Sequence, residues 1–342
     1  MRRDKSSNAN KIIICFLLVF LICLAVFSLS VGRYDISVKD IIMLILSKLF
    51  SFDSHLPEAV DTVILNIRIP RILGAIAVGA ALASSGAAYQ GIFKNPLVSP
   101  DIVGASAGAG FGAALAIIFS FSNVGIQLMA FFFSLFAVFI TYLIGENLKK
   151  GDPTLALILT GMIIGTLFSS FISLLKYVAD PYEKLPAITF WLMGSLATIT
   201  INDIYFILFP LFIGSIFLYI VRWRLNIMSF GDEEAQTLGV DTKRLRFIVI
   251  LSSTLLTASV VAISGVIGWI GLVIPHFARL LVGPNYKTLL PVSFILGGAF
   301  LLLVDTLARI ILPTEIPLGI LTSIIGAPFF IYLLTYSRRG WI

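Results

Sequence analysis

From Ile12 to Val31 the chain runs for 20 residues without a charged side chain, the length an α-helix needs to cross the hydrocarbon core of a bilayer. Nine further apolar stretches follow, at 66–92, 102–121, 124–145, 154–178, 203–222, 245–264, 267–282, 289–309 and 318–336. A bilayer accepts only elements whose backbone polar groups are satisfied internally. Stretches of this kind therefore predict an all-α polytopic membrane protein with ten transmembrane helices. Composition agrees, since 58% of residues are hydrophobic and only 12% charged, against about 25% charged in an ordinary soluble domain. A soluble enzyme of this size is excluded, because so little polar surface could not cover so apolar a core.

The first stretch is too long for the apolar region of a signal peptide, which runs to about 15 residues. It is expected to be a retained helix with its basic flank, Arg2, Arg3 and Lys5, in the cytoplasm. The eighth stretch is the weakest, being short and interrupted by Gly268, Gly271 and Pro275. Ten spans put both termini, including Arg338 and Arg339, in the cytoplasm. They place 16 of the 24 Lys and Arg residues inside and 8 outside, as the positive-inside rule prefers. That bias also accounts for the net charge of +6, and no basic soluble segment points to nucleic acid. Residues 1–342 are expected to form one transmembrane domain with two loops longer than a turn. Residues 32–65 are expected outside the cytoplasm, with Ile41, Ile42, Ile45, Leu46 and Leu49 at the spacing of an interfacial helix. Residues 223–244 are expected inside.

The chain is poor in chemistry. Its two cysteines, Cys15 and Cys23, share the first span, and its two histidines, His55 and His276, stand far apart. No catalytic triad, HExxH or phosphate-binding GxxxxGK[ST] occurs, so no catalytic residue and no metal ligand set is assigned. Intramembrane charges mark the pathways of ion-coupled carriers, yet the third to seventh spans carry none in their central turns. Asp305 stands four residues before Arg309, the favourable order for a helix-end pair. Transport then needs energy from elsewhere. The small residues that crowd the second, third and fifth spans either permit tight helix packing or line a pathway.

The second loop offers an energy source. Residues 229–240 (SFGDEEAQTLGV) predict a short helix. Asp232 or Ser229 would cap it, Glu233 and Glu234 suit its positive end, and Gly239 suits the left-handed position after it. Asp241 would cap the next helix. With Phe230 and Leu238 exposed, this segment has the character of a docking element for a soluble partner.

Four stretches carry a family resemblance. They are RIPR at 68–71 with QGIFKNPL at 90–97, PDIVG at 100–104, the 229–240 loop, and the pair GLVIPHFAR at 271–279 and EIPLG at 315–319 with GAPFF at 326–330. Over about residues 60–336 the chain resembles the FecCD-type permeases, the membrane subunits of ATP-binding-cassette importers for iron–siderophore complexes, haem and cobalamin. The resemblance implies a type II importer permease fold with ten helices per subunit, working as a dimer with an identical or paralogous second permease. It further implies two ATPase subunits docked on Ser229, Phe230, Gly231, Asp232, Glu233, Glu234, Ala235, Leu238 and Gly239, and an extracytoplasmic binding protein. Arg68, Arg71 and Arg309 match the positions that meet carboxylates of that binding protein, a pairing suited to the guanidinium fork. Arg68 and Arg71 could equally snorkel at the membrane edge.

The same resemblance places a cytoplasmic gate at Asn95 and Leu97, opposed by Thr154, and a translocation pathway along the fifth span at Thr160, Gly161, Gly165, Ser169 and Ser170. It implies no cofactor in this chain, with ATP and Mg held by the ATPase partners. The expected function is passage of an iron(III)–siderophore complex, or of haem or cobalamin, through the cytoplasmic membrane of a bacterium. An ion-coupled secondary carrier is the other class weighed.

Overall fold

The computed structural model describes residues 2–32, 34–50, 56–147 and 152–336. His55, Lys149, Lys150, Arg338 and Arg339 lie outside the described residues. The helices in chain order are α1 (Arg2–Ser30), α2 (Val38–Phe50), α3 (Glu58–Thr62), α4 (Ile69–Ile92), α5 (Ala105–Ile118), α6 (Asn123–Asn147) and α7 (Pro153–Val178). They continue as α8 (Lys184–Met193), α9 (Ile201–Met228), α10 (Asp232–Thr237), α11 (Thr242–Ser264), α12 (Ile270–Val282), α13 (Tyr286–Ile310) and α14 (Leu318–Tyr336). No strand occurs among the described residues.

Each of the ten expected spans falls on a helix. Seven of those helices are long and apolar enough to cross a membrane, the second being the continuous run Glu58–Ile92 through a π-helical turn at Val63–Arg68. The other three, Ala105–Ile118, Ile270–Val282 and the part of α14 up to Tyr332, are shorter apolar helices. α12 begins only after Gly265 (φ 68°) and Trp269 (φ 71°) have broken the chain's path from α11, so the weak eighth stretch is a short helix. A helix is present in 32–65 as expected, namely α2, whose Ile41 and Leu44 are buried while Ile42, Ile45 and Leu46 are exposed. α8 was not expected, since ten residues cannot span and its apolar face reads as part of a loop. The 223–244 loop is shorter than expected, because α9 runs on to Met228.

α4 is the axis of the bundle. It packs against α13, α11, α12 and α9, and every residue from Val78 to Phe93 is buried. Small side chains make this possible, because neighbours can close on the helix from all sides. The tightest approach is to α13, where a Cβ on Gly79 would collide with the Gly297 carbonyl, and one on Gly297 with the Gly79 carbonyl. By contrast α1, α7 and α9 leave broad apolar faces open, as expected of helices that face lipid or a second chain. The starts of α7, α9, α11 and α13 are capped by side chains. Asp152 accepts from the Thr154 amide at 2.8 Å, Asp241 from the Arg244 amide at 3.0 Å, and Thr200 and Asp203 form a reciprocal pair at the start of α9.

Candidate functional site

α10 sits at the end of the bundle where α4 and α9 finish. Its fold is set by glycines at both ends. Gly231 (φ 128°) stands at the N-cap and Gly239 (φ 80°) follows the last turn. There the Val240 amide reaches Ala235 O and the Gly239 amide reaches Gln236 O, a Schellman closure. Ala235 and Val240 are buried against the bundle, whereas Phe230, Leu238, Glu233 and Glu234 are exposed. The expected exposed pair is thus present.

The expected cap is not. Ser229 donates instead to Leu225 O at 3.2 Å, and no side chain caps α10. Asp232 turns away from the helix start to accept from Lys94 Nζ at 2.9 Å and from Arg246 Nη2 at 2.6 Å. Burial resists ionisation of this carboxyl, but the hydrogen bonds and charges of Lys94 and Arg246 outweigh it and hold it below the ordinary aspartate value. Sequence reasoning missed both partners, which lie 138 residues before and 14 after it. The only available signal was the surplus of basic residues flanking the loop.

Lys94 begins the loop that carries Asn95 and Leu97. Its left-handed backbone (φ 49°) ends α4. Asn95 Oδ1 accepts from the Leu97 amide at 2.9 Å, which tightens the turn around Pro96. A His276 ring nitrogen lies 2.9 Å from Pro96 O, and Gln90 Nε2 donates to Val98 O at 3.4 Å and Leu272 O at 3.3 Å. Arg279 Nη2 donates to Gln90 Oε1 at 2.6 Å. His276 is therefore a buried helix residue that supports this loop. Leu97 is exposed, while Thr154 is buried and its hydroxyl finds no partner among the described residues.

Along α7 the expected pathway residues divide between two faces. Thr160 and Gly161 are buried, and a Cβ on Gly161 would strike Ile102 O in the turn before α5. Gly165 faces the same turn at Gly104. Thr160 and Gly161 pack the helix and are not on its open side, a correction to the expected set, while Gly165 is half-buried at the edge between the two faces. Ser169 and Ser170 are exposed beside Leu159, Met162, Ile163, Thr166 and Leu167. Thr166, Ser169, Ser170 and Ser173 each donate to the carbonyl four residues back, at 2.8–3.0 Å. Their hydroxyl protons are thereby used within the helix, and this stretch of the face carries no charged residue.

The arginines at the opposite end are also corrected. Arg68, Arg71 and Arg309 are all buried. Arg68 donates to Leu29 O and Tyr34 O. Arg71 grips Asp305 through Nε (2.9 and 3.1 Å) and Nη2 (2.9 Å), and Glu315 through Nη1 (3.0 Å) and Nη2 (2.9 Å). Arg309 meets Asp305 at 3.4 Å and donates to Ser28 Oγ. Asp305 is thus held chiefly by Arg71, not by the neighbouring Arg309 that its spacing suggested. As placed, the three guanidinium groups are occupied by partners within the chain and are not displayed to another protein. Glu315 does reach the surface, lining a cavity of about 760 Å³ with Gln127, Lys184 and Asp203.

Residues 17–336 match the FecCD transport family. The chain is 44% identical, over 95% of its length and 95% of the relative's, to the molybdate import system permease protein of Haemophilus influenzae. It is 39% identical, again over 95% of both chains, to an Fe(3+)-citrate import system permease protein of Bacillus subtilis. A metal-chelate type ABC transporter solved in an inward-facing conformation superposes with a TM-score of 0.85 at 43% identity, covering 95% of this chain and 99% of the other.

Proposed function

The chain belongs to the FecCD transport family, and from that premise we propose that it passes an iron(III) chelate of the siderophore type through the cytoplasmic membrane. It is a permease of an ABC importer and a multi-pass membrane protein. On our reading two ATPase subunits dock on Phe230, Leu238 and the acidic first turn of α10. A second permease subunit, identical or paralogous, faces α7, and an extracytoplasmic binding protein delivers the cargo. ATP and Mg stay on the ATPase partners, and both termini lie in the cytoplasm.

The observation that carries the cargo class is the open face of α7. A bare oxyanion is held by hydrogen-bond donors and cations, and between Leu159 and Ser173 this face has neither to spare. Its hydroxyl donors are turned onto its own carbonyls. A wall of methyl groups and oxygen lone pairs binds weakly, which suits a bulky chelate whose metal is already wrapped and which must leave as readily as it enters. Asn95, Leu97 and Thr154 would close this route at the cytoplasmic end. With the arginines buried, binding-protein docking falls to exposed groups around Glu315, and Arg71 and Arg309 serve by fixing the carboxylates.

The similarity to a molybdate permease favours a second reading, in which the cargo is that oxyanion. Uptake into proteoliposomes holding the complete complex separates the two. ATP-dependent accumulation of iron from an iron(III) chelate, with molybdate not competing, supports the first reading. Accumulation of molybdate alone replaces it by the second. Uptake that follows an ion gradient without ATP overturns both.

A further inference from the structure

Resting on the permease assignment above, we propose that Asp232 is a positioning residue that transmits movement of the coupling segment to the gate loop, holding Arg246 with one carboxylate oxygen and Lys94 with the other. Oδ2 accepts from Arg246 Nη2 at 2.6 Å and Oδ1 from Lys94 Nζ at 2.9 Å. One carboxylate on α10 is thereby fastened to α11 and to the residue that opens the Asn95–Leu97 turn.

The two bonds differ in permanence. The Arg246 side chain is 2% exposed, and its Nε already lacks an acceptor among the described residues. Taking Asp232 away would leave a buried guanidinium uncompensated, which strongly opposes separation. The Lys94 side chain is 35% exposed. Its ammonium can exchange the carboxylate for water with little net change, as surface ion pairs do. Asp232 therefore stays with α11 while its hold on the gate loop can be made and broken.

Lys94 is well placed to feel that change. Its backbone is left-handed at the point where α4 stops, and its amide donates back to Gly91 O at 3.4 Å. A pull on its side chain acts on the turn that sets Asn95, Pro96 and Leu97. The far side of the loop is held by buried groups, through Gln90 to Val98 O and His276 to Pro96 O. One side of the loop is thus fixed to the core and the other is tied to the segment expected to move with the ATPase. This arrangement explains why Asp232 forgoes the capping role its position offers.

The test uses the full-length chain in its complete complex and measures substrate transported per ATP hydrolysed. Lys94→Met, Asp232→Asn and the double variant are compared. Each single variant is expected to lower the ratio about fivefold, the double to fall no further than Asp232→Asn, and Lys94→Arg to return it to within about twofold of the unaltered complex. Lys94 is exposed enough that Lys94→Met should fold, so it decides the question if Asp232→Asn fails to assemble. A Lys94→Met complex with the unaltered ratio, or losses that add in the double variant, overturns the strut and leaves the permease assignment standing. A complex that contains no ATPase overturns both together.

Discussion

Gly79 on α4 and Gly297 on α13 face each other so closely that a Cβ on either would run into the other's carbonyl oxygen. The obstacle on each side is backbone, which cannot rotate aside as a side-chain tip can. Gly79→Ala should therefore cost at least the ~1–3 kcal/mol usual for overpacking, seen as a lowered melting temperature of the detergent-solubilised protein. Gly268→Ala is the control, because a Cβ there meets nothing within 4 Å. It should stay within about 0.5 kcal/mol of the unaltered chain.

Asp305 holds two buried arginines, so Asp305→Ala should destabilise the chain by roughly 3–5 kcal/mol through the charges it strands. Replacing both members of the main pair, in Arg71→Met with Asp305→Leu, removes the charges together. The double variant should be less damaged than Asp305→Ala, measured by thermal unfolding in the same detergent. A double variant worse than the single would show that the charges contribute net stability beyond satisfying each other.

Phe230 and Leu238 are exposed on the α10 segment while Ala235 and Val240 anchor it. Leu238→Ser and Phe230→Ala should leave thermal stability within about 0.5 kcal/mol. Each should weaken capture of the ATPase subunits about tenfold or more, as truncation of an interface anchor does. Quantitative co-purification of the ATPase checks this.

Gly161 and Ser170 are nine residues apart on α7 but on opposite faces. Gly161→Ala should lower stability by about 1–3 kcal/mol, because its Cβ would meet Ile102 O. Ser170→Leu should leave stability nearly unchanged and reduce transport by narrowing the proposed route. Thermal unfolding together with uptake into proteoliposomes separates the two effects.

The helices were legible because twenty apolar residues in a row leave the chain almost no alternative, and the short helix α10 because an acidic first turn is followed by Gly239, which stops it. What could not be read was direction. Nothing in the local sequence says that Asp232 looks outward to Lys94 instead of back at its own helix, or that Thr160 and Gly161 point into the bundle while Ser169 and Ser170 point out. Arg68, Arg71 and Arg309 were expected at the outer surface because the family resemblance matches them to positions that meet a binding protein. Their partners, among them Asp305 and Glu315, are brought in by folding from far along the chain. α8 escaped notice since its ten residues satisfy neither the length of a span nor the alternation of any other element.

The ion pair between Arg71 and Asp305 also sets an order of events during synthesis. The two residues are 234 positions apart, which at roughly 5–20 residues per second puts about 10–50 s between them on the ribosome. Throughout that interval Arg71 is already in or near the bilayer, and neither Asp305 nor Glu315 yet exists. Until α13 and the segment after it emerge, Arg71 lacks both carboxylates that hold it in the finished bundle, and α4 lacks the helix that approaches it most closely.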